Sequence, residues 1–191
     1  MAYFQSSRFG KMLGVTLVEL LVVFALIALL SVIAFPSFNR LIDSTRVSTA
    51  TGLLHNALLY TRTEAIKRNT NVTICRSENA DSPAPSCAQG SALSGWGTGW
   101  IVYVDRDGNS RYSAGDELLR TQGALFWSPT EGAILSSPQR NAISYRVTGQ
   151  TFGSFLQFSV NQSSLRNDVG INRYICIAAG GRARVDLLGC N

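Results

Sequence analysis

From Val15 to Phe35 the chain runs for 21 residues with a single ionisable side chain, Glu19. That length matches the roughly 20 apolar residues a membrane-spanning helix requires, so residues 15–36 are read as a transmembrane helix closed by Pro36. Glu19 is the anomaly, because a carboxylate at that depth costs about 3 kcal/mol or more unless it is neutralised or paired, and such residues tend to mark function. An ordinary signal peptide has a basic start, an apolar core of about 7 to 15 residues and a cleavage site after that core. Here Arg8 and Lys11 come first, but the small residue that offers a break, Gly14, stands before the apolar run.

Past Pro36 about 155 of the 191 residues remain, enough for one well-packed core. Only 15% of the chain is charged, and Gly, Ser, Thr and aromatic residues are plentiful, which points to a β-rich body. The formal charge of +5 is unevenly spread. Residues 37–68 carry five basic and two acidic side chains, 69–139 four and seven, and 140–191 six and two. The basic groups of the last segment are all arginines, namely Arg140, Arg146, Arg166, Arg173, Arg182 and Arg184. Arginine suits bidentate phosphate contacts better than lysine, though a surface excess of this size is common and alone says little about an anionic partner.

Four cysteines, Cys75, Cys87, Cys176 and Cys190, form two locally spaced pairs without a C-x-x-C motif. Behind an export signal they read as disulfides. Three connectivities are open, and Cys75 with Cys87 and Cys176 with Cys190 are preferred because short loops close most easily. Unpaired buried thiols are the alternative. Zinc is disfavoured, since the one histidine, His55, falls on a helix far from any cysteine and reads as a surface residue.

Beyond Pro36, which should kink or loosen the helix, the helical pattern resumes. Val47, Ala50, Leu54, Ala57, Leu58, Thr61 and Ala65 recur at steps of three and four, with Arg46, Asn56, Arg62 and Lys67 off that stripe. Residues 15–68 are therefore expected to form one helix of roughly 80 Å at 1.5 Å per residue, ending near Asn69. Strands are expected at 72–75, 100–104, 117–121, 142–147, 155–160, 173–178 and 181–188, with a Ser/Pro/Ala-rich loop at 77–95. The predicted class is α+β, a long N-terminal helix packed on an antiparallel β-sheet of four to seven strands.

The stretch Asp105 to Asp116 carries Asp105, Asp107, Asn109 and Asp116. A calcium loop places Gly at position six and Glu at twelve. Counting from Asp105 puts Ser110 and Asp116 there, so a hydrogen-bonded hairpin turn is the preferred reading and no metal site is assigned. Gly95, Gly97 and Gly99 precede a strand, so they are not a dinucleotide-binding fingerprint. Nor does the chain carry G-x-S-x-G, a phosphate loop or a His-based triad, and no enzyme, catalytic residue or cofactor is expected.

The sequence KMLGVTLVELL, residues 11–21, resembles the processing site of type IV prepilins and type II secretion pseudopilins. The resemblance implies a leader at 1–14, cleavage after Gly14 by a prepilin peptidase, N-methylation of Val15, and a charge-pairing role in assembly for Glu19. Physically, cleavage creates an ammonium at the head of an apolar helix, and a carboxylate one turn away can neutralise it where unpaired charge is very costly. The stretch GWIVYVDRDGNSRYSAGDELLR, residues 99–120, is similar to the GspH/FimT family of minor pilins and pseudopilins. That implies a globular domain at 37–191, with helix 37–68 and a β-rich part at 72–191. It also implies residence in the bacterial inner membrane with the C-terminal domain in the periplasm, followed by passage into a pilus with other major and minor pilins as partners.

Gly180 and Gly181 are expected to turn the chain into the last strand, placing Arg182 and Arg184 on one face because strand side chains alternate. The run Gly181, Arg182, Ala183, Arg184 resembles the G-R-x-R motif by which FimT-type minor pilins contact DNA during natural transformation. On that resemblance Gly181, Arg182 and Arg184 form a sequence-independent site for double-stranded DNA. The alternatives are a hairpin whose arginines only solvate an edge strand, and a GspH-like pseudopilin of a type II secretion system or a pilus tip subunit with protein partners alone.

Overall fold

A computed structural model describes residues 14–153, 155–162 and 171–190, leaving out the side chains of 32–37 and 39. Residues 1–13 of the expected leader, and Arg166, lie outside the described residues. The chain divides into two compact units, Met1–Leu41 and Ile42–Asn191.

Helix α1 spans Leu17–Arg68, against the expected 15–68, and its helical assignment continues through Pro36. It starts where Thr16 can cap it. The Thr16 hydroxyl accepts the Glu19 N–H at 3.2 Å and the Thr16 carbonyl accepts the Leu20 N–H at 3.2 Å, which satisfies donors that a helix start otherwise leaves orphaned. Glu19 then stands in the first turn, where a carboxylate interacts favourably with the helix dipole. In this unit Leu17, Phe24 and Leu30 are exposed. Counted over the described residues, no helix is long and apolar enough to cross a membrane. The described side chains of the apolar run stop at Ser31, short of its full length in sequence.

In the second unit α1 buries the stripe its periodicity marks: Val47, Ala50, Leu54, Ala57, Leu58, Thr61 and Ala65 are all buried, with Thr51 and Glu64 beside them. The helix ends because Asn69 adopts a left-handed conformation, φ 52°. The Thr70 N–H then reaches the Ala65 carbonyl and the Asn69 N–H the Ile66 carbonyl, both at 3.3 Å, a Schellman closure.

Eight strands follow among the described residues: β1 (Val72–Arg76), β2 (Trp100–Val104), β3 (Glu117–Gln122), β4 (Gly132–Ser137), β5 (Ala142–Tyr145), β6 (Leu156–Gln162), β7 (Arg173–Ile177) and β8 (Ala183–Asp186). They form two four-stranded sheets, ordered β3-β2-β1-β5 and β4-β6-β7-β8, with every named pairing antiparallel. The sequence pointed to one sheet and missed β4. Its apolar residues Ala133, Ile134 and Leu135 stand in a row instead of alternating, and only Gly132 and Ile134 are buried.

β1 and β2 are buried along their whole lengths because both faces are covered. Val72, Ile74, Trp100, Val102 and Val104 belong to the main core with α1, whereas Cys75, Ile101 and Tyr103 form a second cluster with Ala80, Cys87 and Tyr112. The Cys75–Cys87 disulfide, with a Cα–Cα distance of 5.6 Å, ties the 77–95 loop over that outer face. Arg76 is buried beneath it, donating to Glu78 at 2.7 Å and to the Gly90 carbonyl at 3.1 Å.

Candidate nucleic-acid interface

Near the C-terminus β7 and β8 form a hairpin, with Cys176 opposite Arg184 and Ile177 opposite Ala183. The turn closes through Gly181 N–H to the Ala178 carbonyl at 2.8 Å and Ala178 N–H to the Arg182 carbonyl at 3.2 Å. Gly181 is required there on two counts. Its φ is +78°, and a Cβ would collide with the Gly149 carbonyl oxygen.

Two side chains of α1 hold this corner. Arg62 donates through Nε to the Gly149 carbonyl at 2.9 Å and through Nη2 to the Gly180 carbonyl at 3.4 Å. His55 is half-buried with Nε2 3.3 Å from the Ala183 carbonyl, so it is not the free surface residue its sequence position implied. Tyr145 lies against Gly181 and is fully buried; burial pushes its phenol above the ordinary range, with Arg62 pulling the other way. Sequence reasoning missed Arg62, His55 and Tyr145 because their partners lie far along the chain.

Arg182 and Arg184 are exposed. They take alternate positions while Ala183 between them packs on the core, so they share the outward face. Residues opposite each other in an antiparallel pair share a face, which puts the Cys176–Cys190 disulfide on the side of the sheet that carries Arg184. The C-terminal segment is further held by the Cys190 N–H donating to Gln157 Oε1 at 3.0 Å. The other described arginines of the segment, Arg140, Arg146 and Arg173, are engaged elsewhere. Arg146 stacks over the Phe152 ring at 4.1 Å, Arg140 donates to the Phe152 carbonyl at 3.5 Å, and Arg173 donates to the Asn172 carbonyl at 3.0 Å. Of the described arginines expected here, Arg182 and Arg184 stand together at the β7–β8 turn.

At the other end of the chain Gly14 and Val15 are exposed just before the Thr16 cap. In the β2–β3 loop, Asp105 accepts hydrogen bonds from Thr73 Oγ1 and the Ser110 N–H, each at 3.0 Å. Burial raises the Asp105 carboxyl above its ordinary range, and those two donors act against the shift.

A long N-terminal helix whose rear half packs on disulfide-tied antiparallel sheets is the architecture of a pilin-like subunit. A family model described as type II transport protein GspH matches residues 50–181, and the chain belongs to that family. The match ends at Gly181, so Arg182 and Arg184 lie outside it. Among solved structures the chain is similar to the type IV minor pilin FimU of Pseudomonas aeruginosa strain PAO1 in two crystal forms. In the first the TM-score is 0.56 at 18% identity, covering 74% of this chain and 89% of that one. In the second it is 0.53 at 18% identity, covering 73% and 91%. No curated protein matches the chain.

Proposed function

We propose that the protein is a minor type IV pilin, a structural subunit and not an enzyme, that helps start pilus assembly and binds extracellular DNA through Arg182 and Arg184 for uptake in natural transformation. In this reading prepilin peptidase cuts after Gly14 and methylates Val15. The 15–36 helix holds the subunit in the inner membrane before assembly, and Glu19 neutralises an N-terminal ammonium when that helix enters the fibre.

The observation that carries the DNA reading is the pair of outward-facing arginines on a turn locked by Gly181, Arg62 and a disulfide. Neither arginine has an acidic partner among the described residues, so both guanidinium groups are available to backbone phosphates, a sequence-independent and salt-dependent contact. The full chain in detergent should shift duplex DNA of unrelated sequences at low salt, and replacing Arg182 and Arg184 together by Ala should abolish the shift. Undiminished binding by that double variant refutes the assignment.

A second reading is favoured by the family's description as a type II transport protein. It makes the chain a minor pseudopilin that meets other pseudopilins alone. Absence of any DNA shift at low salt, together with co-purification with such subunits, selects it.

A further inference from the structure

The loop joining β2 to β3 gathers three aspartates, and no ion pair to any of them is formed among the described residues. Asp105, Asp107 and Asp116 each bring a carboxylate oxygen within 4.8 Å of the others. Asp105, at the end of β2, is 2% exposed. Its Oδ2 is taken up by Thr73 and Ser110, but its Oδ1 is buried with no hydrogen-bond partner among the described residues. An ionised carboxylate in that position is costly unless a cation or further donors reach it. The neighbouring bases do not supply one. Arg106 lies 3.7 Å from Glu117, and Arg111 is exposed.

The backbone also answers the objection raised by the sequence. Position six of a calcium loop needs glycine because the chain turns sharply there. Ser110 occupies it with φ +58°, and its N–H donates to the Asp105 carboxylate at position one. At the twelfth position Asp116 is oriented by the Arg106 N–H at 3.0 Å and by the Ser113 N–H at 2.8 Å. Asp107 is fixed by the Asn109 N–H at 3.1 Å.

We propose that the Asp105–Asp116 loop is a calcium site whose ligands are the carboxylates of Asp105, Asp107 and Asp116. Oxygens sharing one calcium at its usual bond length lie no more than about 5 Å apart, and the three carboxylates meet that limit. The donor set is hard oxygen only, which disfavours zinc and other ions that seek His or Cys. Magnesium demands a near-octahedral shell, which an irregular loop of this kind does not offer. A bound ion would neutralise the Asp105 carboxylate. Thr73 links that carboxylate to β5, with its hydroxyl 2.7 Å from Ser144 Oγ, so occupancy would be felt across the first sheet.

The test uses the full chain in detergent, stripped by a chelator and titrated with Ca²⁺ or Mg²⁺, with terbium luminescence excited through Tyr103 and Tyr112 as a second readout. One saturable Ca²⁺ site is expected. At a hundredfold excess over Kd the Tm should rise by about 5 to 10 °C, with little response to Mg²⁺. Asp107→Asn and Asp116→Asn should each weaken binding at least about tenfold, the order expected for losing a charged ligand, while Glu131→Gln, outside the loop, should leave it unchanged. Asp105→Asn keeps acceptors for Thr73 and Ser110 but removes the buried charge. It should therefore equal or exceed the wild type in Tm under chelator and no longer respond to Ca²⁺. A wild-type Tm that does not move up to about 10 mM Ca²⁺, well above the millimolar range of weak extracellular sites, overturns the proposal. So does a shift that survives Asp116→Asn, or an Asp105→Asn loss of stability that is the same with and without Ca²⁺. An equal response to Mg²⁺ overturns the calcium assignment. Asp107 is exposed, so its variant provides a test even where Asp105→Asn does not fold.

Discussion

The β2–β3 and β7–β8 hairpins are built alike and charged oppositely. In each sheet a disulfide anchors the strand beside or within the hairpin, Cys75–Cys87 on β1 and Cys176–Cys190 on β7. Each turn contains a glycine at positive φ, Gly108 at 72° and Gly181 at 78°. The first turn folds one carboxylate inward, leaving Asp105 buried with an oxygen that has no hydrogen-bond partner among the described residues. The second faces outward, with Arg182 and Arg184 exposed. Neither set is neutralised by the described residues, but the consequences differ. An inward carboxylate needs a small ion that fits beside it, whereas outward guanidinium groups cost little when alone and remain available to a large polyanion.

The sharpest way to break this comparison is to substitute the two glycines. Gly181→Ala forces a Cβ into the Gly149 carbonyl at a φ that L-residues avoid, and should cost about 3 kcal/mol from strain and overpacking together. Gly108 has the same sign of φ but open space around it, so Gly108→Ala should cost only about 1 kcal/mol. Urea unfolding of the two variants measures the gap. Equal losses would mean that the basic turn is no more tightly built than the acidic one. A smaller effect concerns the charges themselves. If Arg182 and Arg184 touch phosphates, each single Ala variant should lower the slope of log affinity for DNA against log salt by about 1. Asp107→Asn, in the other hairpin, should leave that slope unchanged.

Much of this arrangement was legible because it is local and periodic. The stripe from Val47 to Ala65 follows the helical repeat, the end of α1 is marked by Asn69, and Gly180–Gly181 announces its own turn. What escaped depends on partners far along the chain. His55 reads as a surface residue until the Ala183 carbonyl, 128 residues away, is beside it. The burial of Arg76 has no signal in its own neighbourhood of the sequence and depends on the 77–95 loop folding over it. The division into two sheets is set by β4 pairing with β6, and β4 lacks the alternation that would reveal it. In the Asp105–Asp116 loop the spacing was visible, but the orphaned Oδ1 of Asp105 and the positive φ of Ser110 belong to the folded state alone.

The smallest predicted effect tests whether charge at the acidic hairpin matters outside the loop. Glu117 opens β3 and accepts from Arg68 at the end of α1 at 2.7 Å, with Arg106 3.7 Å away. The Arg68 hydrogen bond holds the Glu117 carboxyl below its ordinary value of 4.5. A depressed folded value means that the stabilisation is fully present above the unfolded value and is lost as pH falls through 4.5 towards the folded one. Glu117 is 45% exposed and Arg68 35%, so solvent screens the pair and its contribution is small. Glu117→Gln should therefore lower the Tm slightly at pH 7, by less than Gly108→Ala. The difference should shrink in about 0.5 M salt, where screening acts over a few ångströms, and should close as the pH is taken below that of the folded carboxyl. A larger loss that persisted in acid and in salt would show that Glu117 acts through packing at the start of β3.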